Sequence, residues 1–380
     1  MNKFLDFIKD KLEVIEKAGW TRSCKYHQPI NSIETLIDNK IVYQFCSNDY
    51  LGLSFDKRIA EAIYNYSLSY GNGAGASRLV TGSSDLYKEL EENIAKFKNR
   101  EASLTFSSGY MANIGTISAL MHSHDVVFSD RFNHSSLKAG INLSKAMLFE
   151  YEHLSIEDLK TKLEKHRHSY KNAMIISDFV FSMDGDIADI KSLISLAEEY
   201  ECLLFLDEAH STGVFPNLEL NEKVKPLVIE MGTFSKAVGL QGGFVVANEK
   251  IIDFLIQRSK TFIYSTAMSP CITGGILESL KIIKSEDFRR EKLWQNVKIV
   301  KDFLIKNNFD LIPSESQILC VKFKNNESVL KASAELFKQG IWISAIRPPT
   351  VATPRLRITL SSNHEEKHLE RFFDAMLKII

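Results

Sequence analysis

Apolar residues recur in two rhythms along the chain, and the texture changes after about residue 285. Phe4, Leu5, Ile8, Leu12 and Ile15 fall at helical spacing, so residues 3–18 are predicted to form an amphipathic helix ending at Gly19. A polar arm from Thr21 to Asn31 leads to two short strand-like runs and then to CSNDYLGL at 46–53. Residues 56–70 and 85–98 read as helices on either side of a glycine-rich stretch, GNGAGASRLVTGSS at 71–84. From there apolar runs alternate with helical ones. Strands are predicted at 104–106, 125–129, 146–149, 173–178, 202–207, 227–232 and 243–247, with helices starting near Gly109 and spanning 154–166 and 189–200. Strands apolar on both faces, separated by helices, imply an α/β fold with a mostly parallel sheet covered by helices.

Beyond 285 a long charged helix at 287–306 precedes ILCVKF, a helix at 327–338, WISAIR, RLRITL and a last helix from His364. This reads as a small α+β domain. The chain divides into an N-terminal helix and arm (1–45), a large domain (46–285) and a small C-terminal domain (286–380). A length of 380 residues accommodates both domains without a long linker.

Composition narrows the function classes. A formal net charge of −1 supplies no field to recruit nucleic acid or an anionic membrane. The five cysteines lie far apart and form no CxxC pair, so neither a disulfide framework nor a zinc knuckle is indicated. The N-terminus lacks the unbroken apolar core of a signal peptide, and no apolar run is long enough to span a bilayer. A cytoplasmic protein is expected.

The candidate chemistry centres on 203–236. LLFLDEAHSTG places Asp207 where an apolar strand runs out, the sheet edge at which α/β proteins hold ligands. Read alone, such an aspartate serves equally as a helix cap. Lys236 stands among small residues in GTFSKAVGLQGG, beside hydroxyls and a glycine turn. A surface lysine would read the same way, but this setting also suits covalent attachment of an aldehyde cofactor close to its phosphate. Together the two residues point to pyridoxal 5′-phosphate (PLP). SSGYMAN at 107–113 starts a helix, a natural phosphate site or a plain N-cap. The glycine loop is neither GxGxxG nor a Walker A loop, and DEAH at 207–210 comes without the P-loop and basic surface of a helicase. The HxH pairs at 122/124 and 166/168 have no third ligand nearby, so no metal is expected.

In order, SNDYLGL, SRLVTG, SSGYMAN, DRFNHSSL, FSMDGD, LDEAHSTG, TFSK, IYSTAMSP and AIRPPTV…RLR resemble the α-oxoamine synthases, a branch of the fold-type I PLP enzymes. The likeness runs from about Asn48 to Arg357. It is strongest to the members that condense L-alanine with a pimeloyl thioester, of coenzyme A or of a carrier protein, on the strength of AIRPPTV and of Arg22. The resemblance implies that Lys236 holds the cofactor and then serves as the base at the substrate Cα, that Asp207 bonds the ring nitrogen, and that His134 stacks on the ring and helps place the acyl substrate. It places His210 and Ser182 near the ring oxygen, Gly109 and Tyr110 along the cofactor, and Thr233 at its phosphate. Thr266 would reach the phosphate of a neighbouring subunit, which implies a homodimer. Arg347 would take the amino acid carboxylate, Arg22 the distal carboxylate, and Asn48 and Thr350 would border the substrate.

Two departures stand out. The link between PPTV and RLR is only Ala352, Thr353 and Pro354, shorter than the family pattern, and this shortens a loop beside the substrate. Phe179 occupies a position where a small residue is common, and either narrows the acyl channel or packs in the core. A sister synthase using glycine or serine with another acyl chain, and a scaffold of the same fold without chemistry, are the competing readings.

Overall fold

The computed structural model describes residues 2–379. Its centre is a seven-stranded sheet in the order Ala102–Phe106, Gly243–Ala247, Val228–Thr233, Leu203–Asp207, Ala173–Asp178, Val126–Asp130, Met147–Tyr151. All neighbours run parallel except Gly243–Ala247, which is antiparallel to both of its partners. The strands at 126–130, 173–178, 228–233 and 243–247 are buried at every residue, as expected of a sheet covered on both faces. The mixed α/β class predicted from the apolar runs is what the chain adopts.

Helices begin where the sequence supplies caps. Ser108 accepts from the Met111 amide to start Gly109–Leu120, Ser155 from Asp158 to start Ile156–His166, and Asp189 from Ser192 to start Ile190–Glu199. The apolar helix Pro270–Ser285 is absent from the sequence-based expectations. It is buried on most sides, so its apolar residues are not confined to one narrow stripe.

The C-terminal part builds a three-stranded antiparallel sheet from Ile318–Lys322, Arg355–Thr359 and Ser344–Ile346. A second sheet joins the N-terminal segment to it: Lys40–Gln44 pairs in parallel with Ile341–Trp342. The chain is thereby closed on itself, bringing arm and C-terminal residues to one edge. The helix Lys3–Lys17 forms as its spacing predicts, yet none of its residues is buried.

Two glycines matter for the geometry of the site. A Cβ on Gly243 would lie 2.6 Å from the Gly109 amide, so only glycine lets that strand approach the start of the 109–120 helix. Gly185 has φ +84°, and a Cβ there would meet the Ile318 carbonyl at 2.2 Å, which fixes the FSMDGD turn against the C-terminal sheet.

Candidate active site

Neighbouring parallel strands end together, and their last residues form the floor of a cavity of about 250 Å³. Asp207 and Asp178 are register partners at the ends of their strands, both almost fully buried. Asp207 accepts from the Ala209 amide at 2.9 Å and from Asn113 Nδ2 at 2.7 Å. Asp178 accepts from the His134 amide at 2.7 Å, and burial with Asp207 beside it raises its carboxyl well above the usual range. The third strand end delivers Thr233, followed by Lys236.

Burial lowers the Lys236 ammonium to about 8; Asp207 and Asp178 oppose that shift, and the Arg357 charge adds to it. His210 is held well below its ordinary value by burial, with Lys236 and Arg357 contributing. Its Nδ1 lies 2.6 Å from the hydroxyl of the buried Tyr50, which also donates to Asn48 Oδ1 at 3.0 Å. The ring of Tyr110 meets His134 edge-on with centroids 6.5 Å apart, and both line the open side of the cavity.

Gly109, Tyr110, His134, Ser182, Asp207, His210, Thr233 and Lys236 therefore share one cavity, as the sequence led us to expect. Their chemistry fits PLP. A buried carboxylate suits a protonated pyridine nitrogen, a lysine of depressed pKa suits an aldehyde, and a capped helix start with the Thr233 and Ser235 hydroxyls suits a phosphate. Among the described residues no group of His, Cys, Asp and Glu could hold a metal ion.

Other expected residues lie elsewhere. Thr266 is exposed and bridges to Ser77, outside the cavity. Arg22, Arg347 and Thr350 line a separate cleft of about 600 Å³ under the N-terminal arm. Arg22 donates to Thr350 Oγ1 at 3.5 Å, and Arg347 donates to the carbonyls of Gly19 and Thr21 at 3.2 and 3.0 Å. Phe179 is buried with Val180, Ile312, Ile318 and Cys320, so of its two readings the core one holds.

The structure adds residues to which the sequence reading assigned no role. Arg357, 5% exposed, donates Nε to the Ser182 carbonyl and Nη2 to Asn48 Oδ1 at 3.3 Å, which puts a fixed guanidinium next to the cavity. It sits in RLR, a motif already noted; Arg355, two residues earlier on the same face of the strand, is equally buried but donates to the Met183 carbonyl and Asp184 instead. Glu208 points away from the cavity into a buried cluster. Lys98 bonds Glu208 and lies 2.9 Å from Glu230, which also pairs with Arg100. Burial pushes Glu208 up to about 7 against the pull of Lys98. Burial works against the charge of Lys98, but its two carboxylates outweigh that and raise it.

A clamp ties two loops of the site together. His153 Nδ1 lies 3.0 Å from Asp130 and its Nε2 2.9 Å from Asp186, bridging the turn before His134 to the turn after Ser182. Burial opposes the charge of His153, yet the two carboxylates raise it to about 9. A raised histidine binds its proton more tightly folded than unfolded, so its stabilisation is complete below about 6.5 and is lost as pH rises through about 9. Lys236, lowered, acts with the opposite sign toward the alkaline side. The thermal midpoint of the parent protein minus that of a His153→Gln variant should therefore shrink steadily from pH 6 to pH 9.5. A difference that does not change with pH would remove the clamp from the account.

Residues 40–376 match the model of the class I and II aminotransferase family. A protein of Microcystis aeruginosa assigned as 8-amino-7-oxononanoate synthase is 43% identical over 375 residues, covering 97% of each chain. Among solved structures, a serine palmitoyltransferase of S. paucimobilis with a bound PLP–myriocin adduct superposes with a TM-score of 0.90 at 25% identity, covering 99% of this chain and 98% of that one. The 8-amino-7-oxononanoate synthase of Francisella tularensis superposes with a TM-score of 0.73 at 29% identity, covering 89% and 98%.

Proposed function

The chain belongs to the class I and II aminotransferase family and, within it, to the α-oxoamine synthases, PLP-dependent acyltransferases; from that premise we propose that it condenses L-alanine with a pimeloyl thioester. The products are 8-amino-7-oxononanoate, carbon dioxide and the free thiol, the step that opens biotin ring assembly. The observation carrying this reading is the convergence of Lys236, Asp207 and His134 on one cavity with Arg357 beside it.

Bound PLP supplies an electron sink for the carbon pair left when the alanine Cα proton is removed. Asp207, its carboxylate fixed by the Asn113 amide and the Ala209 N–H, would hold the ring nitrogen with its proton. Lys236, at about 8, is neutral often enough near pH 7.5 to take the Cα proton at its Nζ. Arg357 holds the alanine carboxylate until that group departs as carbon dioxide, a fork suited to two oxygens. Tyr110 and His134 cover the opening and limit water. His134 also faces the acyl carbonyl, whose oxygen gains charge as the new carbon–carbon bond forms and the thiol leaves.

Arg22 and Thr350 at the arm cleft suit the distal carboxylate of a pimeloyl chain. Arg347, in the same cleft and bonded to the Gly19 and Thr21 carbonyls, is a second candidate for substrate carboxylate. Thr266 lies outside its own chain's cavity, and we assign it to the cofactor phosphate of a second copy in a homodimer. No helix among the described residues is long and apolar enough to cross a membrane, and a cytoplasmic location belongs to the same proposal.

The test is thiol release by the purified protein with PLP and pimeloyl-CoA, given L-alanine, glycine or L-serine in turn. Release confined to L-alanine, with a product of the expected mass, supports the reading; release with glycine or serine alone moves the protein to a sister activity. Arg22→Ala should raise KM for pimeloyl-CoA about tenfold or more, the scale of one lost charge-assisted contact, with KM for L-alanine unchanged. An unaltered acyl KM would count against the pimeloyl assignment.

A further inference from the structure

A hydrogen-bonded chain of fixed direction runs from Asp207 to His134. Asn113, on the 109–120 helix, donates Nδ2 to Asp207 Oδ2 at 2.7 Å and to Ser136 Oγ at 2.8 Å. Ser136 Oγ in turn lies 2.6 Å from His134 Nδ1. Asn113 and Ser136 are each 1% exposed, so water does not compete for these contacts.

Donor-only and acceptor-only groups at the two ends set the direction. An ionised carboxylate only accepts, so Asp207 forces the Asn113 amide to turn its nitrogen inward. The amide oxygen pays the penalty: Asn113 Oδ1 is buried without a partner. At the other end the Ser136 backbone N–H points at His134 Nδ1 at 3.3 Å, and a backbone N–H only donates. His134 Nδ1 must therefore carry its lone pair. The Ser136 hydroxyl then donates to that same nitrogen, sharing its single lone pair with the longer backbone contact, while its oxygen accepts from Asn113. One arrangement satisfies every contact, and in it the proton of neutral His134 sits on Nε2. Burial, with the Lys236 charge, lowers the His134 pKa in the same sense, which favours the neutral ring.

We propose that Asn113 and Ser136 are positioning residues that fix His134 as the Nε2–H tautomer, a hydrogen-bond donor presented to the substrate cavity. One buried amide thus orients both the carboxylate at the floor of the site and the histidine at its mouth. The inference rests on the condensation reading for its purpose, since a donor is needed where the acyl oxygen gains charge. Its geometry stands without that reading.

The test uses full-length protein without cofactor, labelled with ¹⁵N-histidine, and reads ring tautomers from long-range ¹H–¹⁵N spectra at pH 8. A His134→Gln spectrum assigns the signal. The parent should show His134 protonated at Nε2, with Nδ1 shifted as a hydrogen-bonded imine nitrogen. Ser136→Ala should move the Nδ1 resonance toward that of a free imine nitrogen, and Ser136→Thr, which keeps the hydroxyl, should restore it. In the PLP-loaded enzyme Ser136→Ala should lower kcat about tenfold or more, the scale of one hydrogen bond to a group that gains charge. KM for L-alanine should be unchanged, and Ser136→Thr should recover most of the rate. Asn113→Leu should loosen both His134 and Asp207, but Ser136 variants carry the test if that protein fails to fold. His134 protonated at Nδ1 in the parent, or a Ser136→Ala spectrum identical to the parent, would overturn the proposal. If the tautomer is as expected and no thiol is released with any substrate pair, the positioning role stands and the condensation reading falls.

Discussion

Lys236→Ala should abolish thiol release, lowering it by at least about 10³-fold, because the proposed function asks one side chain to supply both the covalent attachment and the base. The size of the effect follows from the setting of this lysine. At pH 7 a fall in pKa from 10.5 to about 8 raises the neutral fraction from about 0.03% to about 10%, roughly 300-fold more reactive amine. Burial does this, and the nearby carboxylates Asp207 and Asp178 keep the shift from going further. Borohydride reduction of the PLP-loaded parent, followed by intact-mass measurement, should show one cofactor fixed per chain, and none on the variant. Capture of PLP by the apo parent should also speed up as pH rises through about 8 and level off above it. Cofactor fixed to the variant at another lysine, or activity that survives the substitution, would show that the chemistry does not run through Lys236.

The second large effect is on stability and lies outside the cavity. Lys98→Met leaves Glu208 and Glu230 buried together without the cation that both of them approach. Breaking a buried ion network on one side costs about 3–5 kcal/mol, since an uncompensated charge remains in a dry interior. A clear fall in the urea midpoint is expected, and a Lys98→Met/Glu208→Gln double variant should recover part of it, because the two sites share one interaction. A Lys98→Met protein as stable as the parent would mean that Glu208 takes a proton at little cost, in line with its rise to about 7. The cluster begins at the residue after Asp207, so the double variant should also show whether this support is needed to hold the Asp207 carboxylate in place.

Local pattern was sufficient for much of this molecule. Unbroken apolar runs located the strands that end at Asp178 and Asp207 and, to within one residue, the one that ends at Thr233, because burial on both faces of a sheet leaves its mark on consecutive residues. The breaks after those strands made Asp207 and Lys236 candidates for ligand-facing positions, since a chain leaving the carboxyl edge of a parallel sheet turns its last residues to the crevice there. Family likeness then supplied roles for His134, His210, Gly109, Tyr110, Ser182 and Thr233, all of which come together in one cavity.

Contacts set by strand register and side-chain direction left no such mark. Asp178 becomes the neighbour of Asp207 only through pairing of their strands. Arg357 reaches Ser182 and Asn48 only because the C-terminal sheet docks against the FSMDGD turn, while Arg347, in the motif beside it, turns to the arm. Lys98 looked like a helix-terminal lysine and Glu208 like one letter of DEAH, yet packing buried both and made them a pair. Asn113 and Ser136 were only letters of SSGYMAN and DRFNHSSL, and the packing of two helices joined them into a directed chain. Sequence period thus determined the elements and the strand ends that carry the chemistry. Tertiary packing decided which buried polar groups meet, because a hydrogen bond depends on distance and direction between side chains that hydrophobic spacing along one segment does not specify.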